Sequence, residues 1–437
     1  MTQKLALIPF LLLVSVTLFC IFGGQNPVAQ PAVTHFDTGD TAWMLASTAL
    51  VLIMTPGLAF FYGGMVKKKN VISTMLQSFI CMAIVSIVWV LFGFSLAFGQ
   101  DIGGIIGNPA TFFLLDNITD AAPWPAAPTV PFIIFVFFQL KFAIIAPALV
   151  TGAFSERVRF TSYILFIVMF FIFIYAPLAH MTWHPDGFLA KLGVLDFAGG
   201  TVVHMSAGVA ALASAIYLRK RSDQAMKPAR ITYVLLGTGL LWFGWFGFNG
   251  GSAMGANNLA GVALATTAVA SGAAAFAWIM FDALRSKKPS AMGTCIGAVV
   301  GLVAITPAAG FVTIPHALVI GVVAAFISNL MVEWRTRTSI DDTLDVFPCH
   351  GIGGLVGMIL TGVFANPGIN TAVLHKGLLF GETRLFITHL LVAIGLLVAV
   401  FFITLMILKI TDMITPLRVS EDEEIQGLDR SQLGESL

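Results

Sequence analysis

The sequence carries little charge. Only 10% of its 437 residues are Asp, Glu, Lys or Arg, whereas soluble domains carry about 25%. This deficit excludes an ordinary soluble domain, and a hydrophobic content of 58% indicates a membrane protein. The formal net charge of +1 leaves no surplus of either sign, so the composition does not favour a nucleic acid or a generally acidic partner.

Cysteine is also scarce. The four cysteines stand singly, without C-x-x-C or any other metal-like spacing. Isolated cysteines in apolar segments behave as small hydrophobic residues. We therefore expect no disulfide framework, no metal and no other cofactor.

Long apolar runs dominate what remains. A membrane-spanning helix needs roughly 20 predominantly apolar residues, and eleven segments fit, near residues 40–62, 72–99, 131–153, 160–182, 197–218, 232–252, 258–284, 291–309, 314–334, 349–366 and 384–410. An earlier apolar stretch at 5–22 has a lysine before it and a polar, proline-containing segment after it. This pattern favours a signal peptide over residues 1–24; a retained twelfth helix is the alternative.

The basic residues predict an orientation. If the residues before the first of the eleven spans lie outside, the inner loops and tail carry 18 Lys and Arg residues and the outer loops carry three. Lys and Arg accumulate on the cytoplasmic side of membrane proteins. We therefore predict an N-terminus outside, an eleven-helix domain at 38–410 and a cytoplasmic tail at 411–437.

A short histidine motif occurs twice. "HMSAGVAAL" begins at His204 in the fifth span, and "HGIGGLVGM" begins at His350 in the tenth. Because five helices reverse the direction of the sixth, this echo predicts two inverted halves, about 38–220 and 231–367, plus an eleventh helix at about 384–410. Transporters of that design place their site near the midplane, where the halves meet.

Ionisable groups within spans are costly and usually face the bundle interior or a cavity. His204 and His350 therefore favour one shared site, where they could bridge a metal, relay protons or line a pore as neutral donors and acceptors. Further ligands nearby are too few to favour a metal. Asp196 begins the span of His204; it is expected to cap that helix, and it could also set the field of an outer cation vestibule.

Aromatic residues accompany these groups. Phe142 lies in "FFQLKFA" and Phe248 in "WFGFNGGS", whose glycines allow close backbone approach and leave polar groups available. Trp183, at the outer end of the fourth span, could be an interfacial belt residue or a cation–π wall.

Five motifs together carry a family resemblance. They are "TPGLAFFYGGMV" (55–66), "GAFSERVRF" (152–160), "DFAGGTVVH" (196–204), "WFGFNGGS" (245–252) and "DDTLDVFPCHGIGG" (341–354). They resemble the motifs of the ammonium transporter (Amt) family of the Amt/Rh superfamily, and "LRVSEDEEIQGLD" (417–429) resembles its cytoplasmic end. The resemblance implies a homotrimer of eleven-helix subunits in the plasma membrane, each with its own pore, and no enzymatic activity.

The resemblance also implies roles for individual residues. Those that would recruit ammonium at the outer side are Phe142, Trp183 and Ser252, with Asp196 beside them. Phe142 and Phe248 would form a stacked gate, and His204 and His350 would line the pore below it. Aromatic faces and a hydroxyl can bind a small cation, whereas an apolar pore excludes charge. Ammonium would therefore leave its proton behind and pass as ammonia, a route closed to potassium.

Lys141 departs from the family pattern, which usually has a small or neutral residue before the gate phenylalanine. Lys141 could lie at a helix or subunit contact. If it faced the pore instead, it would repel ammonium, and the protein would be a slow transporter or an ammonium sensor. An intramembrane enzyme is a further alternative, but no nucleophile or metal set supports it.

The tail suggests regulation. In the family it couples subunits, and a P-II type regulatory protein often blocks the inner pore mouth. The basic loop 219–230 and the acidic tail of this chain could support such coupling, or the acidic run could simply be solvated.

Overall fold

The computed structural model describes residues 3–22, 35–116, 118, 121–225 and 227–437. This part of the chain is mostly helical and contains one small hairpin, β1 Asp101–Ile102 and β2 Ile106–Gly107. The helices, in chain order, are α1 Gln3–Phe22, α2 Thr38–Met65, α3 Lys68–Phe98, α4 Phe132–Phe154, α5 Phe160–Lys191, α6 Gly200–Leu218, α7 Ile231–Gly251, α8 Asn258–Leu284, α9 Ala291–Ile305, α10 Ile314–Thr336, α11 Phe347–Phe364, α12 Arg384–Ile414 and α13 Glu421–Gln426.

Each predicted span overlaps one of the helices α2–α12, although α5 continues to Lys191 instead of ending near 182. Within the described residues, ten of these are long and apolar enough to cross a membrane, and α9 is a shorter apolar helix. α9 stops at Ile305 instead of near 309, because Pro307 has no N–H with which to continue the helical hydrogen bonds. Helix α1 covers the apolar part of the predicted signal peptide, whose end at residue 24 lies outside the described residues.

The two histidine-bearing helices begin alike. α6 opens with the π-helical segment Gly200–Met205, which contains His204, and α11 opens with the π-helical segment Phe347–Ile352, which contains His350. π-Helical turns are rare and are frequently found at functional sites; in the described residues they also occur at Trp89–Gly93, Phe171–Tyr175 and Asp429–Leu433. The repeated histidine motif thus has a π-helical turn at both of its copies. The periodicity of the sequence did not indicate this turn.

A carboxylate stands eight residues before each histidine. Asp196 accepts hydrogen bonds from the amides of Gly199, Gly200 and Thr201 at 2.9, 2.6 and 2.7 Å. Asp342 accepts one from the amide of Phe347 at 2.7 Å. Both carboxylates therefore satisfy amides at a helix start that have no helical partner. The span of His204 begins at Gly200 rather than 197 because these capping bonds hold the preceding residues outside the helix.

Glycine sets the distance between α6 and α11. A Cβ placed on Gly208 would lie 2.0 Å from the amide nitrogen of Gly351. Only a residue without a side chain permits this approach of two backbones. The crossing lies one turn beyond His204 and next to His350, so it fixes the distance between the two imidazoles.

Buried charges join the helix ends on the side predicted to be inner. Arg157 is fully buried; it forms an ion pair with Asp341 at 3.2 Å and donates to the Ala153 carbonyl at 2.8 Å. Arg221 pairs with the same aspartate at 2.9 Å. Burial alone would raise the pKa of Asp341, but the hydrogen bonds and charges of the two arginines outweigh it and hold that pKa below its usual range.

Removing Arg157 should therefore be costly. Arg157→Met leaves the buried Asp341 with one cation fewer, and breaking a buried pair costs about 3–5 kcal/mol of unfolding free energy. Chemical unfolding in detergent micelles measures the loss. Arg337→Met is the matched control, because Arg337 pairs with Glu333 while 75% exposed, and such surface pairs contribute less than about 1 kcal/mol. Equal effects of the two changes would contradict this account of the network.

The tail packs on the same chain. Arg418 donates to the carbonyls of Leu218 and Lys220, both at 2.8 Å, and Asp429 caps the start of α3 by accepting from the amides of Ile72 and Ser73. The acidic run forms α13, and its Glu424 is buried and paired with Arg418 at 2.9 Å. This residue is not part of a solvated charge run.

Candidate functional site: an aromatic cavity above two histidines

A cavity of about 130 Å³ opens at the ends of α4, α5 and α7. We call it the outer cavity, after the predicted orientation. Its lining is Phe98, Trp124, Ala126, Phe135, Gln139, Phe142, Trp183, Phe197, Ser252 and Met254. The three residues expected to recruit ammonium, Phe142, Trp183 and Ser252, are therefore all present in one cavity.

Two anchoring hydrogen bonds orient the cavity wall. The indole nitrogen of Trp183 donates to the backbone carbonyl of Asp196 at 3.1 Å, and the Ser252 hydroxyl donates to the Phe248 carbonyl at 2.8 Å. With its hydrogen used in this way, the Ser252 oxygen presents lone pairs for a donor ligand. The ring of Phe142 stands edge to face against Trp183, with centroids 5.8 Å apart.

Asp196 lies behind the cavity. Its carboxylate is buried and bonded to the amides that start α6, and the Thr201 hydroxyl also donates to it. It is not among the lining residues. Asp196 therefore reaches the cavity through its carbonyl, which positions Trp183, and through the field of its carboxylate.

Gln139 and Trp124 also line the cavity, and sequence reasoning missed both. Gln139 is 4% exposed, and its Oε1 atom has no hydrogen-bond partner among the described residues. It precedes Phe142 by three residues, so both face the same side of α4. The sequence offered one signal for Gln139, since it is the single amide side chain within the apolar run "FIIFVFFQLKFA". Trp124 lies on the loop before α4 and stacks on Phe135 at 5.1 Å, a placement that depends on tertiary contacts.

Two stacked rings close the floor of the cavity. Phe142 and Phe248 are buried, with centroids 4.3 Å apart and planes inclined by 35°. They form the pair that the family resemblance implies as a gate. The Phe248 ring lies 5.9 Å from the His204 ring on its other side.

The two histidines meet beneath this pair. His204 Nδ1 and His350 Nδ1 are 3.3 Å apart. A hydrogen bond between them needs one N–H and one lone pair, so the two rings cannot both carry a proton on these nitrogens. His204 Nε2 is buried without a hydrogen-bond partner among the described residues. A buried polar atom without a hydrogen-bond partner in an apolar site is available to a small ligand that can donate or accept a hydrogen bond.

The space beside the histidines is narrow and apolar. It measures about 10 Å³, close to the minimum for one water-sized molecule. Its lining is His204, His350, Met54, Leu58, Phe61, Ile145, Leu149, Leu241, Trp245, Phe248 and Val299. Trp245 stacks on His204 at 5.2 Å and is held by a 2.8 Å hydrogen bond to Thr306.

Lys141 points away from the cavity. Lys141 is half-buried and lies on the same face of α4 as Ile133 and Phe137, which are 37% and 36% exposed. The cavity is lined from the opposite face of the helix, by Phe135, Gln139 and Phe142. Among the described residues no hydrogen bond or ion pair involves Lys141.

A many-helix membrane protein with an aromatic cavity, a pair of packed phenylalanine rings and a buried imidazole pair has the architecture of a transporter or channel for a small solute. The chain belongs to the Ammonium Transporter Family, whose model matches residues 42–437. This is a family of transporters rather than of enzymes, and the chain is a multi-pass membrane protein.

Individual relatives cover nearly the whole chain. A putative ammonium transporter of Methanothermobacter thermautotrophicus is 47% identical over 395 residues, covering 90% of this chain and 96% of the relative. The crystal structure of Saccharomyces cerevisiae Mep2 matches with a TM-score of 0.83 at 34% identity, over 89% of each chain. A solved structure described as a sensor Amt protein matches with a TM-score of 0.81 at 28% identity, over 90% of this chain and 98% of that one.

Proposed function

We propose that this protein moves ammonium across the plasma membrane by binding the ion in the outer cavity and conducting neutral ammonia past His204 and His350. The observation that carries the proposal is the buried imidazole pair, 3.3 Å apart in an apolar space for about one small molecule. Membership of the Ammonium Transporter Family supports the substrate.

The outer cavity offers what a small cation needs. The rings of Phe142 and Trp183 present electron-rich faces, which attract a cation by about 0.5–2 kcal/mol each. The Ser252 oxygen and the unpartnered Oε1 of Gln139 accept hydrogen bonds from ammonium. Potassium has the same charge but cannot donate a hydrogen bond. These two acceptors therefore bind ammonium in preference to potassium.

Below the gate the site favours a neutral molecule over a cation. The lining beside the histidines is almost wholly apolar, and an isolated charge there is prohibitively expensive. Ammonium can give its extra proton to solvent water on the outer side and enter as ammonia, which can then form hydrogen bonds with His204 Nε2. Deprotonation costs about 1.4 kcal/mol for each pH unit below the pKa of ammonium. Potassium has no neutral form and stays out.

The remaining parts of the proposal concern organisation. We infer an outer N-terminus, an inner C-terminus and eleven spans in two inverted halves, supported by the basic-residue bias and by the matching starts of α6 and α11. We also propose a cleaved signal peptide over residues 1–24, a homotrimer with one pore per subunit, and a cytoplasmic tail at 411–437. A P-II type protein would bind at the inner face.

Flux into liposomes tests the proposal. The full chain reconstituted in liposomes, with a pH-sensitive dye inside, should give a change of internal pH on addition of ammonium that exceeds the change in empty liposomes. A companion binding measurement uses ammonium itself as the probe. Binding without any flux above empty liposomes would overturn transport and favour a sensor.

A sensor is the second candidate. One structural neighbour is described as a sensor Amt protein, and Lys141 stands where the family usually has a small or neutral residue. Lys141 lies on the face of α4 opposite the cavity-lining residues, which argues that its charge does not act in the pore. Lys141→Ala should therefore leave the rate of ammonium flux within about twofold of wild type, as expected of a surface change away from the site. A severalfold rise in flux would show that Lys141 restrains the pore.

Gln139 should matter for recruitment. Gln139→Leu removes an acceptor for a charged donor, a bond contributing about 1.5–3 kcal/mol, so we expect the half-saturating ammonium concentration to rise at least tenfold. Gln77→Leu is the matched control: Gln77 is also buried, and its Oε1 has no hydrogen-bond partner among the described residues, but it does not line this cavity. Half-saturation is measured from initial flux rates. An equal rise in both variants would contradict the role of Gln139.

A further inference from the structure

Each ring nitrogen of His180 lies within hydrogen-bond distance of an oxygen acceptor. His180 is fully buried in α5; its Nδ1 lies 3.0 Å from the Ala97 carbonyl oxygen, and its Nε2 lies 2.9 Å from Asp101 Oδ1. A carbonyl oxygen and a carboxylate oxygen only accept hydrogen bonds. A neutral imidazole has a single N–H, so it would turn a lone pair toward one of these oxygens. The geometry therefore requires one proton more than a neutral histidine and a carboxylate supply.

That proton belongs on the imidazole. Asp101 Oδ1 already accepts from the Gly104 amide at 2.7 Å, which favours the carboxylate form. The hydrogen bond from His180, as the largest influence, lowers the pKa of Asp101. His180 is then an imidazolium and Asp101 its counter-ion, and the pair is neutral as a unit. A buried cation can thus stand near a cation-binding cavity without repelling the substrate.

The pair is connected to the cavity wall. The His184 ring stacks on His180 at 4.4 Å with planes 16° apart, and its Nδ1 accepts from the Asp186 amide at 3.1 Å. His184 in turn touches Trp124, with ring centroids 5.5 Å apart. Trp124 lines the outer cavity and stacks on Phe135.

The other charges nearby do not replace this connection. The ionisable groups facing the two histidines are Asp101, Asp186 and Lys191. Asp186 and Lys191 pair with each other at 3.1 Å, with both side chains 59% exposed. Asp101 also fixes the β1–β2 hairpin through Gly104, whose carbonyl accepts from the Phe188 amide at 2.8 Å. The hairpin, the end of α5 and the cavity wall are therefore connected through the pair of buried His180 and partly exposed Asp101.

We propose that His180 and Asp101 are positioning residues, a proton-dependent brace that holds the Trp124 wall of the outer cavity in its ammonium-binding arrangement. When His180 loses its proton, one ring nitrogen turns a lone pair toward the Ala97 carbonyl or the Asp101 carboxylate, and that side of the brace opens. Recruitment of ammonium then weakens as external pH rises. The inference rests on the proposed function for its consequence, but the protonation of His180 does not depend on transport.

Nitrogen-15 NMR of histidine-labelled protein in liposomes tests the protonation directly. At about pH 8 an ordinary imidazole, with a pKa near 6.5, is neutral. We expect one doubly protonated imidazole at that pH, absent in His180→Gln. Only neutral imidazoles in the wild type at about pH 8 would overturn the proposal, whatever the flux measurements show.

Flux as a function of pH tests the brace. With concentrations expressed as ammonium ion, the wild-type half-saturating concentration should rise about tenfold over the pH range in which the imidazolium signal disappears. Asp101→Asn is the matched variant, because it removes the counter-ion of the imidazolium while its Oδ1 can still accept from the Gly104 amide; its half-saturating concentration should therefore rise at a lower pH than that of wild type. His180→Gln should show the high value at every pH. Coincident pH profiles for wild type and Asp101→Asn would overturn the brace, and an absence of flux in the wild type would instead reject the proposed function.

Discussion

Replacing Gly208 by alanine is expected to reduce ammonium flux about tenfold to a hundredfold. The added Cβ would lie 2.0 Å from the amide nitrogen of Gly351, far inside contact distance and against backbone that cannot rotate away. α6 and α11 must then separate. Overpacking of this kind costs typically 1–3 kcal/mol, and the separation breaks the 3.3 Å contact between His204 and His350.

Gly272→Ala is the control for this prediction. Gly272 lies inside helix α8, and a Cβ there would meet nothing within 4 Å. Alanine should be neutral or stabilising at such a helical position. Initial flux rates in liposomes, normalised to folded protein, compare the two variants. Wild-type flux in Gly208→Ala would show that the helix crossing does not set the pore geometry.

His204→Leu is expected to reduce flux about a hundredfold. Leucine removes Nε2, which has no hydrogen-bond partner among the described residues, and it leaves His350 Nδ1 without its hydrogen bond. A buried polar group without a hydrogen bond costs about 1–3 kcal/mol. Ammonia in the variant would lose its hydrogen bond to the imidazole, which raises the barrier to its passage. Leucine keeps the site apolar and filled, so the change tests hydrogen bonding more than volume.

A second histidine provides the comparison for His204. His316 lies near the start of α10, stacked on Phe364 at 4.7 Å, outside both cavities. His316→Leu should leave flux near wild type. If His204→Leu transported ammonium as fast as His316→Leu, the imidazole pair would have no part in conduction.

Much of the fold could be predicted because a membrane imposes simple rules. Apolar length located most helix ends to within a few residues, for example 258–284 against Asn258–Leu284. The deviations arose where local chemistry overrides hydropathy. Pro307 ends α9 early, and the capping bonds of Asp196 delay α6.

The candidate site was only partly visible in the sequence. Residues that carry a motif, such as Phe142 and His204, could be identified and lie together. Asp342 could have been found by its spacing, since it precedes His350 as Asp196 precedes His204. Trp124 could not, because its place in the cavity depends on packing between a loop and three helices. The direction of Lys141 also needed the structure, since one residue on a helix differs from the next by about 100°.

Selectivity against potassium tests the central claim most directly. Liposomes containing the protein are given equal inward gradients of ammonium or potassium, and solute entry is followed by internal pH and by a potassium-sensitive dye. Conduction of a neutral species predicts ammonium-driven changes well above those of empty liposomes, with potassium entry no greater than in empty liposomes. Potassium entry comparable to that of ammonium would show that charge crosses the pore, and would contradict this account.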